Sequence, residues 1–71
     1  MEHRWDAGEI GCGQLVLELR RRMLDLEPGE TIEVIAQSPG APNDLPAWCR
    51  MTGHELVSAE HPVYHIRRKL G

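Results

Sequence analysis

Between residues 13 and 26 the apolar residues Leu15, Val16, Leu19, Met23 and Leu26 recur at steps of one, three, four and three, which gathers them on one helical face. Arg20, Arg21 and Arg22 fall mostly on the rest of the cylinder. The glycine-rich run Gly8-Glu9-Ile10-Gly11-Cys12-Gly13 reads as a turn, so this helix is expected to begin near Cys12. Glu27-Pro28-Gly29 ends it, because proline cannot continue the hydrogen-bond ladder and glycine accepts the turn conformation.

The pattern then changes period. Thr31 to Ala36 is β-branched, with Ile32 and Val34 on one face and Thr31 and Glu33 on the other, the alternation of a half-buried strand. Gln37 to Asn43, with two prolines, reads as a loop. Asp44 is a suitable N-cap for a second helix with Pro46 in its first turn, and Leu45, Trp48, Cys49 and Thr52 share a face that Gly53 closes. Arg4 to Ala7 predicts a short first strand. Glu55 to Glu60 and Val63 to Lys69 predict two more, joined around His61-Pro62 as an antiparallel hairpin with Leu56, Val57, Tyr64 and Ile66 as its bulkier apolar members.

The predicted order is β-α-β-α-β-β. Two helices with one apolar stripe each satisfy a four-stranded mixed sheet if both cover the same face, which gives an α/β (α+β) two-layer sandwich. The other sheet face is left open or semi-polar.

Composition narrows the function. Seventy-one residues, 41% apolar and 4% aromatic, amount to one small domain spanning residues 1–71 and leave no room for a second core. A net charge of -3 with no Phe, two Trp and one Tyr argues against direct nucleic-acid binding, by phosphate neutralisation or by base stacking. The longest apolar runs fall far short of the ~20 residues of a membrane span. Met1 to Asp6 is too polar for a signal peptide, so no membrane association and a cytoplasmic location are expected.

The candidate chemistry centres on Cys12, flanked by two glycines at the expected start of the first helix. Free amides and the positive helix end stabilise an anion there, which favours a thiolate or persulfide. On local sequence the alternative, a small apolar residue at a turn, stands equally. Cys49 shares the stripe of Leu45 and Trp48, so packing outweighs chemistry there. A Cys12 to Cys49 redox pair stays open, although no C-x-x-C spacing supports it. His3, His54, His61 and His65 lack the paired spacing of a zinc site, and no metal or cofactor is expected. The dispersed carboxylates form no acid-base motif, and no phosphate-binding loop or nucleophile elbow is present. The runs Arg20-Arg21-Arg22 and Arg67-Arg68-Lys69 are read first as a solvated face, with a docking surface for an acidic partner or steering toward RNA held by another protein as the alternatives.

Asp44-Leu45-Pro46-Ala47-Trp48-Cys49-Arg50-Met51-Thr52-Gly53-His54-Glu55-Leu56 resembles the D-[IL]-P-x-[FW]-C-x-x-x-G/E-H-E-L segment of the TusA/SirA-like sulfur carriers. Asp6-Ala7 ahead of Cys12, the Glu27-Pro28-Gly29-Glu30 turn and the Tyr64 to Lys69 strand extend the likeness over nearly the whole chain. The resemblance implies the same β-α-β-α-β-β fold. It also implies a persulfide carried on Cys12, received from a cysteine desulfurase or other sulfur donor protein and passed to a sulfur-acceptor protein. The acceptors of such carriers serve tRNA thiolation, molybdenum-cofactor maturation or sulfur metabolism. Cys12-Gly13-Gln14-Leu15 stands where the family has C-P-x-P, and Glu9 where relatives tend to have glycine. Gly11, Gly13 and Gln14 are then the expected persulfide-stabilising turn, Gly13 supplying an N–H that proline lacks. The chain is expected to act as a monomer. A non-catalytic interaction module on the same fold is the alternative.

Overall fold

The computed structural model describes residues 3–70, and of Cys12 the backbone alone. Six elements follow in the expected order: β1 (His3–Gly8), α1 (Cys12–Leu24), β2 (Thr31–Ala36), α2 (Ala41–Thr52), β3 (Glu55–Glu60) and β4 (Val63–Arg67). The strands form one mixed sheet in the order β1-β2-β4-β3. β1 and β2 pair in parallel, which requires a crossover, and α1 supplies it. β2 with β4 and β3 with β4 pair antiparallel, the latter as the expected hairpin.

Alternation along the strands decides which face the helices cover. Ile32, Val34, Ala36, Tyr64 and Ile66 point to one side and are buried there against Leu15, Leu19 and Met23 from α1, Leu26 just after it, and Ala41, Leu45, Trp48 and Cys49 from α2. Burying each such large side chain contributes ~1.5–3 kcal/mol, so this shared core holds both helices to the same sheet face. Trp5 packs at the core margin with the Arg22 guanidinium 4.5 Å from its ring centroid.

The opposite face is polar and cross-linked along one row. Arg4 Nε lies 2.8 Å from Glu33 Oε2, His65 Nε2 lies 3.1 Å from Glu33 Oε1, and Ser58 Oγ lies 2.8 Å from His65 Nδ1. Arg4 and Glu33 thus pair their charges while His65 and Ser58 are joined to them by hydrogen bonds, and the open face is semi-polar as expected.

Several boundaries differ from the sequence reading. α2 begins at Ala41, inside the expected loop, with Gly40 and not Asp44 as N-cap. Pro42 occupies the first turn, where its fixed φ is helical and its missing N–H has no intrahelical acceptor to lose, and Asp44 becomes a first-turn acid at the positive helix end. Pro46 therefore sits inside the helix. α1 ends at Leu24, and Leu26 reaches the core from the turn that follows. β4 stops at Arg67 because the chain then turns to β2's entry: Arg68 N–H donates to Glu30 O, and its guanidinium to Leu26 O. Val57 is exposed, since a register shift between Leu56 and Ser58 removes it from the inward alternation.

Candidate functional site

The turn between β1 and α1 is anchored at both ends by burial. Ala7 is buried, Ile10 packs against the core, and Leu15 is fully enclosed, so the intervening residues are stretched over the edge of the core. Gly8 adopts φ +62°, a left-handed conformation suited to glycine, while its N–H donates to Asp6 Oδ1 and its carbonyl accepts from Gln37 N–H. These bonds fix the exit from β1 and aim the chain toward the helix start.

α1 opens on this turn with Gly11 as N-cap in extended conformation, φ -64° and ψ 155°. The helical ladder starts with Leu15 N–H donating to Gly11 O at 2.8 Å, which leaves the amides ahead of it without an intrahelical acceptor. Gly11 has no side chain to cap them, and no acidic residue occupies the first turn. The positive end of the helix is thus not capped by any side chain of its own first turn among the described residues. Cys12 is the first helical residue; its side chain lies outside the described residues.

Gly11, Gly13 and Gln14 are all exposed. A Cβ built on Gly11 or Gly13 meets nothing within 4 Å, so the backbone on either side of Cys12 is open to an approaching group. Beside Gly13 lies an open hollow of about 340 Å³ that reaches Val16, Asp44, Ala47, Trp48 and Met51 across the α1–α2 seam. This hollow could not be read from the sequence, because it exists only where two helices distant in the chain meet.

Cys49 is in different surroundings. It is buried on α2 beside Leu45 and Trp48, and desolvation pushes its thiol up to about 11, so it is protonated at neutral pH. The packing role expected for Cys49 is what the structure shows.

The histidines are dispersed. His3 pairs with Glu30, His61 bonds Tyr64 Oη, His65 belongs to the open-face row, and His54 stacks near Trp48 with its Nδ1 accepting from Lys69 N–H. Among the described residues no three of His, Cys, Asp or Glu converge as ligands. No helix there is long and apolar enough to cross a membrane.

The family model described as "Sulfurtransferase TusA" matches residues 3–68, nearly the whole chain and every element of the fold. The β-α-β-α-β-β sandwich and the cysteine at the first position of α1 sit within that match. The chain belongs to the TusA sulfurtransferase family.

Proposed function

We propose that Cys12 is the sulfur-bearing residue of a carrier that takes sulfane sulfur from a donor protein and delivers it to an acceptor protein. Family membership implies a sulfurtransferase role with such partners. The observation supporting Cys12 in particular is its place as the first residue of an uncapped helix between two exposed glycines.

The transfer balances without an added oxidant. The Cys12 thiolate attacks the terminal sulfur of a donor persulfide; the new S–S bond forms on Cys12 as the donor's S–S bond breaks, and the donor leaves as a thiolate that takes up a proton. Sulfane sulfur moves and no net redox change occurs. Delivery repeats the step with the acceptor's thiolate as nucleophile. The first-turn amides, including those of Gly13 and Gln14, stabilise the persulfide anion between the two steps. Access matters more than enclosure in such chemistry, and a cleft for a small substrate is not required.

The donor class is a cysteine desulfurase or rhodanese-like protein. The acceptor serves tRNA thiolation, molybdenum-cofactor maturation or sulfur metabolism, and the exchange takes place in the cytoplasm. A second reading has one specific observation in its favour: Cys12-Gly13-Gln14-Leu15 lacks both prolines of C-P-x-P, as it would in an interaction module that had lost sulfur transfer.

Intact mass after incubation with a cysteine desulfurase and cysteine separates the readings. The carrier gains one reductant-labile sulfur in the parent and in Cys49→Ser, and none in Cys12→Ser. A thiol redox protein needs both cysteines. No mass gain from desulfurase, rhodanese or inorganic polysulfide would leave the interaction module as the better account.

A further inference from the structure

Three large apolar side chains stand in solvent on one side of the molecule: Leu17 and Leu24 of α1 and Met51 of α2, at 63%, 68% and 79% exposure. They border a groove of about 530 Å³ along the α1–α2 seam, floored by Met23 and Trp48. The groove shares Val16, Trp48 and Met51 with the hollow beside Gly13, so the two form one depression ending next to the sulfur-bearing turn.

The charge around it is one-sided. Arg20, Arg68 and Lys69 line the groove. Arg68 and Lys69 donate to the neutral carbonyls of Leu26 and Thr52, and none of the three cations has a carboxylate within ion-pair distance among the described residues. Elsewhere Arg4, Arg21 and Arg67 are each matched with a glutamate. Among the described residues the sole acid along the depression is Asp44, at the Gly13 end. A chain of net charge -3 therefore keeps, among the described residues, positive charge without a carboxylate partner around three of its exposed large apolar side chains.

We propose that this groove seats an amphipathic helix of a partner protein, apolar toward Leu17, Leu24 and Met51 and acidic along its flanks; that the partner is a sulfur donor or acceptor rests on the carrier reading. Leu17 and Leu24 are seven residues apart, about two helical turns or ~10 Å, which matches anchors two turns apart, at i and i+7, on a docked helix. The unpaired cations select the sign of the flanking charge and speed encounter with it. A second copy of this chain is disfavoured as occupant, because it would bring the same cations against each other. An anionic membrane is disfavoured by the concave seam and by the acidic remainder of the molecule.

The test uses the full chain, isotopically labelled, with amide and methyl NMR spectra recorded during titration. The probe is a helical peptide of about four turns with leucine at a and d spacing and glutamate on its flanks. Its control has lysine for each glutamate. The expected result is shifts confined to residues bordering the groove, with binding at least about tenfold tighter for the glutamate peptide and weaker at higher salt. Leu24→Glu, an exposed change that leaves the spectrum folded, weakens the glutamate peptide at least about tenfold, and Arg20→Glu moves the preference toward the lysine peptide. Equal binding of the two peptides, shifts on the open sheet face, or no shifts at all overturn the proposal. So do groove shifts produced by phosphatidylglycerol vesicles in preference to the peptide, or by raising the protein concentration alone. Loading with inorganic polysulfide is read on the same samples. Failure of the parent to load at Cys12 strikes the carrier reading and leaves the groove result standing, whereas peptide binding lost by Leu24→Glu with loading intact isolates the groove.

Discussion

The two cysteines differ first in where the backbone puts them. Cys12 opens α1 on the edge of the core, whereas Cys49 lies in the middle of α2 with Leu45 and Trp48 as its companions inside. The raised Cys49 thiol makes a chemical outcome predictable: in Cys12→Ser at neutral pH, iodoacetamide leaves Cys49 unmodified in the native protein and adds one label in urea, read by intact mass. Because its folded pKa is about 11 against an ordinary 9.0, the stability Cys49 contributes is complete below pH 9 and declines as pH rises toward 11. Cys49→Ser places a hydroxyl among apolar side chains and is expected to cost ~1–3 kcal/mol in urea unfolding. The stripe of Leu45, Trp48 and Cys49 was legible from helical spacing alone. The half-open setting of Gly13 was not, since it depends on α2 passing beside α1.

At the scale of elements, the two helices are ended by different devices. α2 closes on Gly53 in the left-handed conformation, φ +85°, with Gly53 N–H donating to Cys49 O. Gly53→Ala is therefore expected to lose ~1–2 kcal/mol, although space for a methyl exists, because the strain lies in the backbone. α1 shows the opposite case. Gly13 is helical and its Cβ direction is empty, so Gly13→Ala is expected to raise stability by ~0.5–1 kcal/mol, checked by the urea midpoint. The same substitution tests whether looseness of the turn serves sulfur loading, read as a change in loading rate with the fold intact. Element existence and order were legible in the sequence throughout. The start of α2 was not: two prolines among small polar residues read as a loop, yet Pro42 fits the first helical turn while Pro39 stays outside it, and burial of Ala41 decides for the helix.

For the whole molecule, the residues after β4 tie the sheet to α2, and this tie is pH-sensitive. His54 lies near the Trp48 ring, and its Nδ1 accepts from the Lys69 amide. Desolvation, then the neighbouring Lys69 and Arg68 charges, lower its pKa below the ordinary 6.5. A group lowered in this way stays neutral in the fold and takes a proton more readily in the unfolded chain. Stability is therefore full above pH 6.5 and falls as the pH drops through the lowered folded value. Urea midpoints at pH 7.5 and 5.5 check this: the parent is expected to lose more than His54→Gln, whose amide keeps an acceptor and does not titrate.

The sequence by itself determined the periods of the elements, their order, the core stripes of α1, β2 and α2, and the family. These follow from local rules, since 3.6- and 2-residue periodicity and a contiguous motif require no knowledge of what lies across the fold. Tertiary structure decided what depends on neighbours distant in the chain. It cross-linked Arg4, Glu33, His65 and Ser58 on the open face, and it set Leu17, Leu24 and Met51 around a groove whose cations have no carboxylate partners among the described residues. The Arg20-Arg21-Arg22 and Arg67-Arg68-Lys69 runs were visible as charge. Their division into Arg21 and Arg67 facing glutamates, Arg22 over Trp5, and Arg20, Arg68 and Lys69 along the groove came only with packing, because a charge is neutralised by what stands a few ångströms away and not by what precedes it in sequence.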